Sequence, residues 1–454
     1  MKRRVAFFTL GCKTNQYDTA VMAGAFRKRG YDVVEFGSVA DVYVINTCAV
    51  TERSEAKSRQ AARRAKRLNP SAVVAVAGCY PQVAPDEVSA LPGVDVVAGA
   101  LRMADIPDYV EEYLESGTRV QHVDCRWLCS DSAVEPGALF RGRTRAFLKI
   151  QDGCENSCSY CIVPIARGPA RSRPLASIVA EAAAAARAGF KEVVLTGINM
   201  GRYGKDFPGG GPDLAAVIGA VHDIPGVERI RLSSVEPPEV TEELVRAVKR
   251  PKVCPHLHVP MQSGSDRILA LMNRGYTAAR FLEIAAWLKE EIPGLGLTTD
   301  VIVGFPGESE EEFDETCEVV RRAGFSRIHV FPFSTRPGTA AERLPDRVPR
   351  SIKERRTRAL IRIGEELSLA FHNSLVGSAQ VVLVEERCGR GSGRGRLEGL
   401  TGNYVRARFE GPHELAGELV NVRITGADRE GVDGVLEDPR ESRGQSFDGK
   451  VGLE

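Results

Sequence analysis

Four short apolar, largely β-branched runs at 5–10, 42–47, 73–78 and 94–99 alternate with charged stretches of helical period. That alternation predicts a parallel sheet covered by helices. The segment 52–68 is rich in Arg, Lys and Ala and nearly free of strand formers, which predicts one amphipathic helix. Its Arg59, Arg63, Arg64 and Arg67 read first as a solvated face and second as an RNA contact.

Between 124 and 143 the periodicity fades around Pro136, Gly137 and Gly142, as in an interdomain linker. Six strand-like runs follow, at 146–151, 192–197, 229–235, 256–261, 297–304 and 328–333, each with a helical stretch after it. Repeated strand-helix units predict a parallel barrel or partial barrel with its chemistry at the carboxyl ends of the strands. Beyond a helical region at 351–371, runs at 380–385, 404–409 and 419–424 are separated by glycine-bearing turns and predict a small antiparallel β barrel. The expected division is an α/β domain over 1–123, a linker over 124–143, a barrel domain over 144–371, a small β barrel over 372–437 and a flexible polar tail over 438–454.

A chain of 454 residues exceeds one small module, and 43% hydrophobic with 27% charged residues suits a globular protein. Sixty-one basic against 60 acidic side chains leave a formal charge of +1, so any affinity for nucleic acid must come from local patches. The basic start followed by an apolar run and Cys12 imitates an export signal, but 5–10 is too short for one and Lys13 follows at once, so a buried first strand is expected. No apolar run approaches the ~18–20 residues of a membrane span, and the expected location is the reducing cytoplasm, with no membrane partner. Eleven cysteines, an odd number in so long a chain, point to metal or redox chemistry rather than a disulfide scaffold.

Cys154, Cys158 and Cys161 stand at C-x-x-x-C-x-x-C spacing just past the first barrel strand. That spacing also suits one face of a helix, yet Gly153, Asn156, Ser157 and Pro164 favour a loop, and soft thiolates gathered in a loop suit an iron-sulfur cluster. Three ligands on a four-iron cluster leave one iron open. Cys12, Cys48 and Cys79 each follow a strand of the first domain, so one edge of a parallel sheet brings them together for a second cluster. Gly11 and Gly78 precede two of them and allow close backbone approach. Cys125, Cys129, Cys254, Cys317 and Cys388 are read as structural or incidental.

The cysteine loop resembles that of the radical S-adenosylmethionine enzymes, and LGCKTNQ at 10–16, NTC at 46–48, GCY at 78–80 and QDGCENSCSYC at 151–161 are similar to the methylthiotransferases among them. The resemblance continues through LTGINMG at 195–201, RLSSVEP at 231–237, PMQSGS at 260–265, DVIVGFPGE at 300–308 and FPFSTRPG at 331–338. It implies two [4Fe-4S] clusters, S-adenosylmethionine, reductive cleavage to a 5'-deoxyadenosyl radical, and insertion of a methylthio group. Cys154, Cys158 and Cys161 would hold the radical-generating cluster, and Cys12, Cys48 and Cys79 the sulfur-handling one. Gly197, Asn199, Ser233, Glu236, Gln262 and Ser263 follow barrel strands and are expected to hold the nucleoside cofactor, with Val303 near its adenine.

Within that family the segments 11–16 and 196–204 look most like the branch acting on threonylcarbamoyladenosine, which implies modification of adenine carbon 2 beside the tRNA anticodon. The alternatives are isopentenyladenosine in tRNA and an aspartate of a small-subunit ribosomal protein. The C-terminal barrel resembles the family's RNA-associated TRAM domain, and Arg387, Arg390, Arg394 and Arg396 in a glycine-rich loop are its RNA-binding candidates. Expected partners are the anticodon stem-loop of tRNA, an electron donor such as flavodoxin or ferredoxin, and a sulfur donor. The reading from a different class is a non-catalytic iron-sulfur protein that binds RNA as a redox sensor.

Overall fold

The computed structural model describes residues 2–124, 144–388 and 394–437. Six parallel strands open the chain: β1 (Arg4–Thr9), β2 (Asp32–Val34), β3 (Val42–Thr47), β4 (Val73–Gly78), β5 (Val96–Ala98) and β6 (Val120–His122). Their order is β2-β1-β3-β4-β5-β6. Every residue of β3 and β4 is buried, because helices cover both faces, which is why both read as unbroken apolar runs. The three-residue edge strands β2 and β6 carry no such run and escape the sequence pattern.

The helix Glu52–Leu68 starts at Thr51, whose side chain accepts from the Ser54 amide, and places Glu52 and Glu55 in its first turn and Lys66 and Arg67 in its last. Its buried face is small, with Ala61, Ala62 and Ala65 against the sheet. Arg59 donates to the Tyr80 hydroxyl at 3.0 Å and Arg64 lies over the Phe36 ring, so part of its basic face serves the fold.

The middle of the chain holds β7 (Arg145–Lys149), a short ribbon of β8 (Gln151–Asp152) and β9 (Arg171–Ser172), then β10 (Glu192–Thr196), β11 (Arg229–Leu232), β12 (His256–His258), β13 (Gly296–Val303) and β14 (Arg327–Pro332). Two parallel three-stranded sheets, β11-β10-β7 and β12-β13-β14, are joined by the bridges Ile230↔Val253 and Ser234↔His258. All six expected strands are present, with helices between them, and the row forms a partial barrel running from β7 to β14. The 25-residue helix Arg350–Ser374 covers β14, where Gly364 lets it press on Ile328: a Cβ there would lie 2.5 Å from Ile328 Cγ1.

The closed C-terminal barrel runs β15-β16-β17-β19-β18, from β15 (Ala379–Cys388), β16 (Arg394–Thr401), β17 (Arg406–Pro412), β18 (Leu419–Ala427) and β19 (Val432–Leu436). Val382, Val384, Leu397, Phe409, Val422 and Ile424 fill it. The structure corrects one expectation here: Arg387, Arg394 and Arg396 lie on the paired strands β15 and β16, in a register setting Arg387 opposite Leu397 and Cys388 opposite Arg396. Glycines made β16 read as a loop, yet a Cβ on Gly399 would lie 2.1 Å from the Leu383 carbonyl, so the tight barrel itself needs glycine. Arg390 lies outside the described residues, as do Cys125, Cys129, the expected linker past Asp124 and the expected tail.

The C-terminal barrel docks on the partial barrel through charge. Arg229 Nη2 donates to the Leu400 carbonyl at 2.9 Å, and Arg231 Nη1 and Nη2 donate to Gly402 and Thr401 at 2.8 and 3.0 Å. The buried Glu192 carboxylate holds both arginines, at 2.5 and 2.8 Å. Among the described residues no helix is long and apolar enough to cross a membrane.

Candidate iron-sulfur and cofactor site

Residues 153–162 form an irregular loop, not a helix, so the thiols of Cys154, Cys158 and Cys161 are no core stripe. Gly153 has φ +73°, and a Cβ there would lie 1.9 Å from the Pro169 carbonyl, so glycine alone fits. The Cys154 amide donates to the Gly168 carbonyl at 2.9 Å, and Ser159 Oγ donates to the Leu271 carbonyl at 2.7 Å, which tie the loop down on both sides. The Asn156 amide points at Cys154 Sγ (3.4 Å) and Arg274 Nη1 at Cys158 Sγ (3.2 Å). Burial raises the Cys161 thiol to about 12, with the nearby Cys158 and Cys154 sulfurs contributing to that rise. Thiols of one loop whose burial opposes ionisation at Cys154 and Cys161 fit a cationic metal centre, whose charge removes that penalty on the thiolates.

The second set assembles as the topology demands. Strands β1, β3 and β4 are neighbours, and Cys12, Cys48 and Cys79 stand just past their carboxyl ends. Gly11 (φ +104°) permits the approach, since a Cβ there would be 3.0 Å from Cys48 Cβ. Burial raises the Cys48 thiol to about 12, with Cys79 and Cys12 adding to the rise. Asn15 organises the turn: its Nδ2 donates to the carbonyls of Leu10 (2.9 Å) and Thr47 (2.8 Å), and its Oδ1 faces Cys12 Sγ at 3.4 Å. Asn46 in turn donates to the Asn15 carbonyl at 2.8 Å.

One arginine joins the two sets. Arg167, at the end of the helix Val163–Arg167 and 1% exposed, directs Nε at Cys79 Sγ (3.4 Å), Nη2 at Asn15 (2.8 Å) and Asp18 (2.8 Å), and Nη1 at Asp152 (3.0 Å). Lys149 Nζ completes the network at 2.7 Å from Asp18 and 2.9 Å from Asp152. Burial alone would raise the Asp152 carboxyl, but Arg167 and Lys149 outweigh it and hold it well below the usual range. Past β14, Arg336 Nη1 reaches Glu55 at 2.6 Å and the Ala49 carbonyl at 3.3 Å. The N-terminal sheet thus touches the partial barrel on the β7 side and beyond β14, with its cysteine-bearing edge at the seam. Sequence reasoning missed Arg167, Arg274 and Arg336, whose partners lie far off in the chain.

The cofactor candidates divide by placement. Glu236 pairs with Arg274, and both line a cavity of about 320 Å³ together with Cys158, Asn156, Arg202 and Glu239. Asn199 is buried and donates to Glu239 at 3.2 Å, while its Oδ1 and the buried Ser233 Oγ lack a hydrogen-bond partner among the described residues. Gly197 packs on Gln151, whose Oε1 accepts from the Ile198 and Asn199 amides at 3.1 and 2.9 Å. Gln262 takes φ +67° and bridges to Val301. Ser263 turns instead to Thr316 Oγ1 at 3.3 Å, and Val303 packs in the core under the helices. The orphaned oxygen of Asn199, which bonds Glu239 in the wall of a cavity that includes a cysteine of the loop, fits a polar nucleoside ligand.

Residues 4–99 match the uncharacterized protein family UPF0004 and residues 148–320 the Radical SAM superfamily. The chain is 40% identical over 422 residues to the threonylcarbamoyladenosine tRNA methylthiotransferase MtaB of Bacillus subtilis, covering 92% of this chain and 93% of the relative. Identity to the protein of the same name from Aquifex aeolicus is 42%, over 93% of this chain and all of the relative (100%). A tRNA-2-methylthio-N(6)-dimethylallyladenosine synthase of Acetivibrio thermocellus is 36% identical over 93% of this chain and 88% of its own length. Among solved structures, the radical S-adenosylmethionine methyltransferase TsrM from Kitasatospora setae shares the fold at a TM-score of 0.53 and 17% identity, over 75% of this chain and 77% of that one.

Proposed function

The chain belongs to the radical S-adenosylmethionine methylthiotransferases, and from that premise we propose that it installs a methylthio group on carbon 2 of N6-threonylcarbamoyladenosine beside the tRNA anticodon. The observation that carries this reading is the pair of cysteine sets on one seam, linked through Arg167. Cys154, Cys158 and Cys161 hold the radical-generating [4Fe-4S] cluster, with S-adenosylmethionine beside Glu236, Asn199 and Ser233. Cys12, Cys48 and Cys79 hold a second cluster that handles sulfur. When bound, these groups supply the one-electron reduction that releases a carbon radical from S-adenosylmethionine, and the sulfur that is transferred. The protein's own residues position the thiols, keep Asp152 ionised under Arg167 and Lys149, and close the seam.

The division into domains over 1–123, 144–371 and 372–437 belongs to the same proposal, as do a TRAM-like role in RNA contact for the last of them and a cytoplasmic setting. A flavodoxin or ferredoxin supplies electrons and an external donor replenishes sulfur. The test is nucleoside mass analysis of tRNA from cells lacking the gene and from complemented cells. Loss and recovery of the methylthio mark on threonylcarbamoyladenosine supports the reading. Loss on isopentenyladenosine, or unchanged tRNA with an unmodified ribosomal protein, overturns it. Cys154→Ser is expected to abolish 5'-deoxyadenosine formation, whereas Cys48→Ser keeps that product and stops thiolation. Thiolation surviving Cys48→Ser would defeat the division of labour, and an absence of 5'-deoxyadenosine from the parent would favour the redox-sensor class.

A further inference from the structure

The helix Glu52–Leu68 carries seven basic and two acidic side chains, in a chain whose formal charge is only +1. Both acids, Glu52 and Glu55, stand in the first turn, so the helix holds no negative side chain from Ala56 to its end. Three of the cations serve the fold: Arg59 donates to the Tyr80 hydroxyl at 3.0 Å, Lys66 pairs with Asp95 at 2.8 Å, and Arg64 lies 5.6 Å from the centre of the Phe36 ring. Arg53, Lys57, Arg63 and Arg67 are exposed and make no hydrogen bond or ion pair among the described residues.

Helical spacing puts these four side chains on the side turned away from the buried Ser58, Ala61, Ala62 and Ala65, in a row about 21 Å long at 1.5 Å per residue. The longer helix Arg350–Ser374 is also rich in arginine, but there Arg350 is answered by Glu354 at 2.8 Å, Arg355 by Glu310 at 2.7 Å and Arg356 by Glu308 at 2.6 Å. The row starts beside the candidate site. Thr51, just past Cys48, caps the helix, and Arg336 Nη1 holds its start through Glu55 at 2.6 Å and the Ala49 carbonyl at 3.3 Å. Unanswered cations in a row repel one another, and a polyanion laid along them removes that cost while releasing its own counterions. The exposed face of this helix has no aromatic or large apolar side chain of the kind that forms the core of a protein interface.

We propose that this face binds the sugar-phosphate backbone of the substrate RNA and guides it toward the seam that holds the cysteine sets. The surface rests on the reading of the substrate as tRNA, but not on which modified adenosine it carries, because phosphate contacts position a strand without reading its bases. It lies on the N-terminal domain, apart from the RNA contact proposed for the C-terminal barrel.

The test follows, as a function of salt, the binding of anticodon stem-loop RNA to the cluster-reconstituted full chain, matched for iron content. Arg53→Gln, Lys57→Gln, Arg63→Gln and Arg67→Gln are made singly and together, since glutamine keeps the helix propensity. Arg187→Gln and Arg322→Gln, exposed on helices of the partial barrel and each removing one charge, are the controls. Each substitution in the row is expected to weaken binding several-fold and to reduce the slope of log K against log salt by about 0.7–0.9, the fourfold variant by about 3. The loss is the same for stem-loops carrying threonylcarbamoyladenosine or isopentenyladenosine. The controls bind as the parent does, and every variant forms 5'-deoxyadenosine without RNA at the parent's rate. A fourfold variant that matches the parent in affinity and slope overturns the surface, as does an equal loss in the controls. RNA binding unchanged while flavodoxin reduces the fourfold variant more slowly assigns the face to the electron donor instead. A parent that binds the ribosomal protein and no stem-loop fails the substrate reading and the surface together, whereas a parent that binds RNA independently of the row fails the surface alone.

Discussion

Arg167 gathers five polar groups that the chain scatters: Asn15, Asp18, Cys79 and both oxygens of Asp152. Removing it leaves two buried carboxylates with only Lys149 between them. Arg167→Met is therefore expected to lower unfolding free energy by about 3–5 kcal/mol, the usual cost of breaking a buried ion pair, measured by urea denaturation of the apoprotein. A loss below 1 kcal/mol would mean that water enters the seam. The cysteines beside it were legible in the sequence because each announces itself locally, by a strand end or by spacing with turn-forming neighbours. Arg167 was not, since its partners Asn15 and Cys79 lie 152 and 88 positions away. Asn15 and Asn46 fall inside the motifs that carried the resemblance, but only the fold shows that they tie β1 and β3 to the turn before the helix.

At the level of elements, long strands buried on both faces were readable and short or crowded ones were not. β3 and β4 announce themselves by continuous apolar runs, whereas β16 hides behind glycines such as Gly399 that the narrow barrel requires. Glu192 of β10 shows how elements from two barrels are pinned together. Burial alone would raise its carboxyl above the ordinary 4.5, but Arg231 and Arg229 outweigh burial and hold it at about 2. A lowered carboxyl stabilises the fold fully above its unfolded value and loses that contribution as pH falls toward the folded one. Docking of the C-terminal barrel is thus expected to weaken between about pH 4.5 and 2, by on the order of 3 kcal/mol in all. Thermal unfolding from pH 5.5 down to 3 should show a steeper loss for the parent than for Glu192→Gln; equal slopes would mean that this carboxylate is not the linked group.

Across the whole molecule, the N-terminal sheet straddles the partial barrel, anchored through Arg167 on one side and Arg336 on the other. Arg336→Ala removes its contacts with Glu55 and the Ala49 carbonyl. Faster hydrogen exchange over 49–58 is expected, together with fewer methylthio insertions per S-adenosylmethionine cleaved. Unchanged exchange in that segment would show that the Arg167 side holds the sheet alone. The barrel class and the presence of three structural units were legible because each has its own period of strand and helix; their mutual docking was not, because it is made by isolated charged residues.

The two cysteine sets also differ in when they come into being. Cys154, Cys158 and Cys161 share one loop and are gathered as soon as that stretch is held against its neighbours. Cys12, Cys48 and Cys79 meet only after β1, β3 and β4 have paired in register. Under the proposed cluster assignment, maturation is therefore expected to follow folding: iron offered early would find only the loop set gathered, and a sheet that closes late would leave an enzyme able to cleave its cofactor without completing the modification.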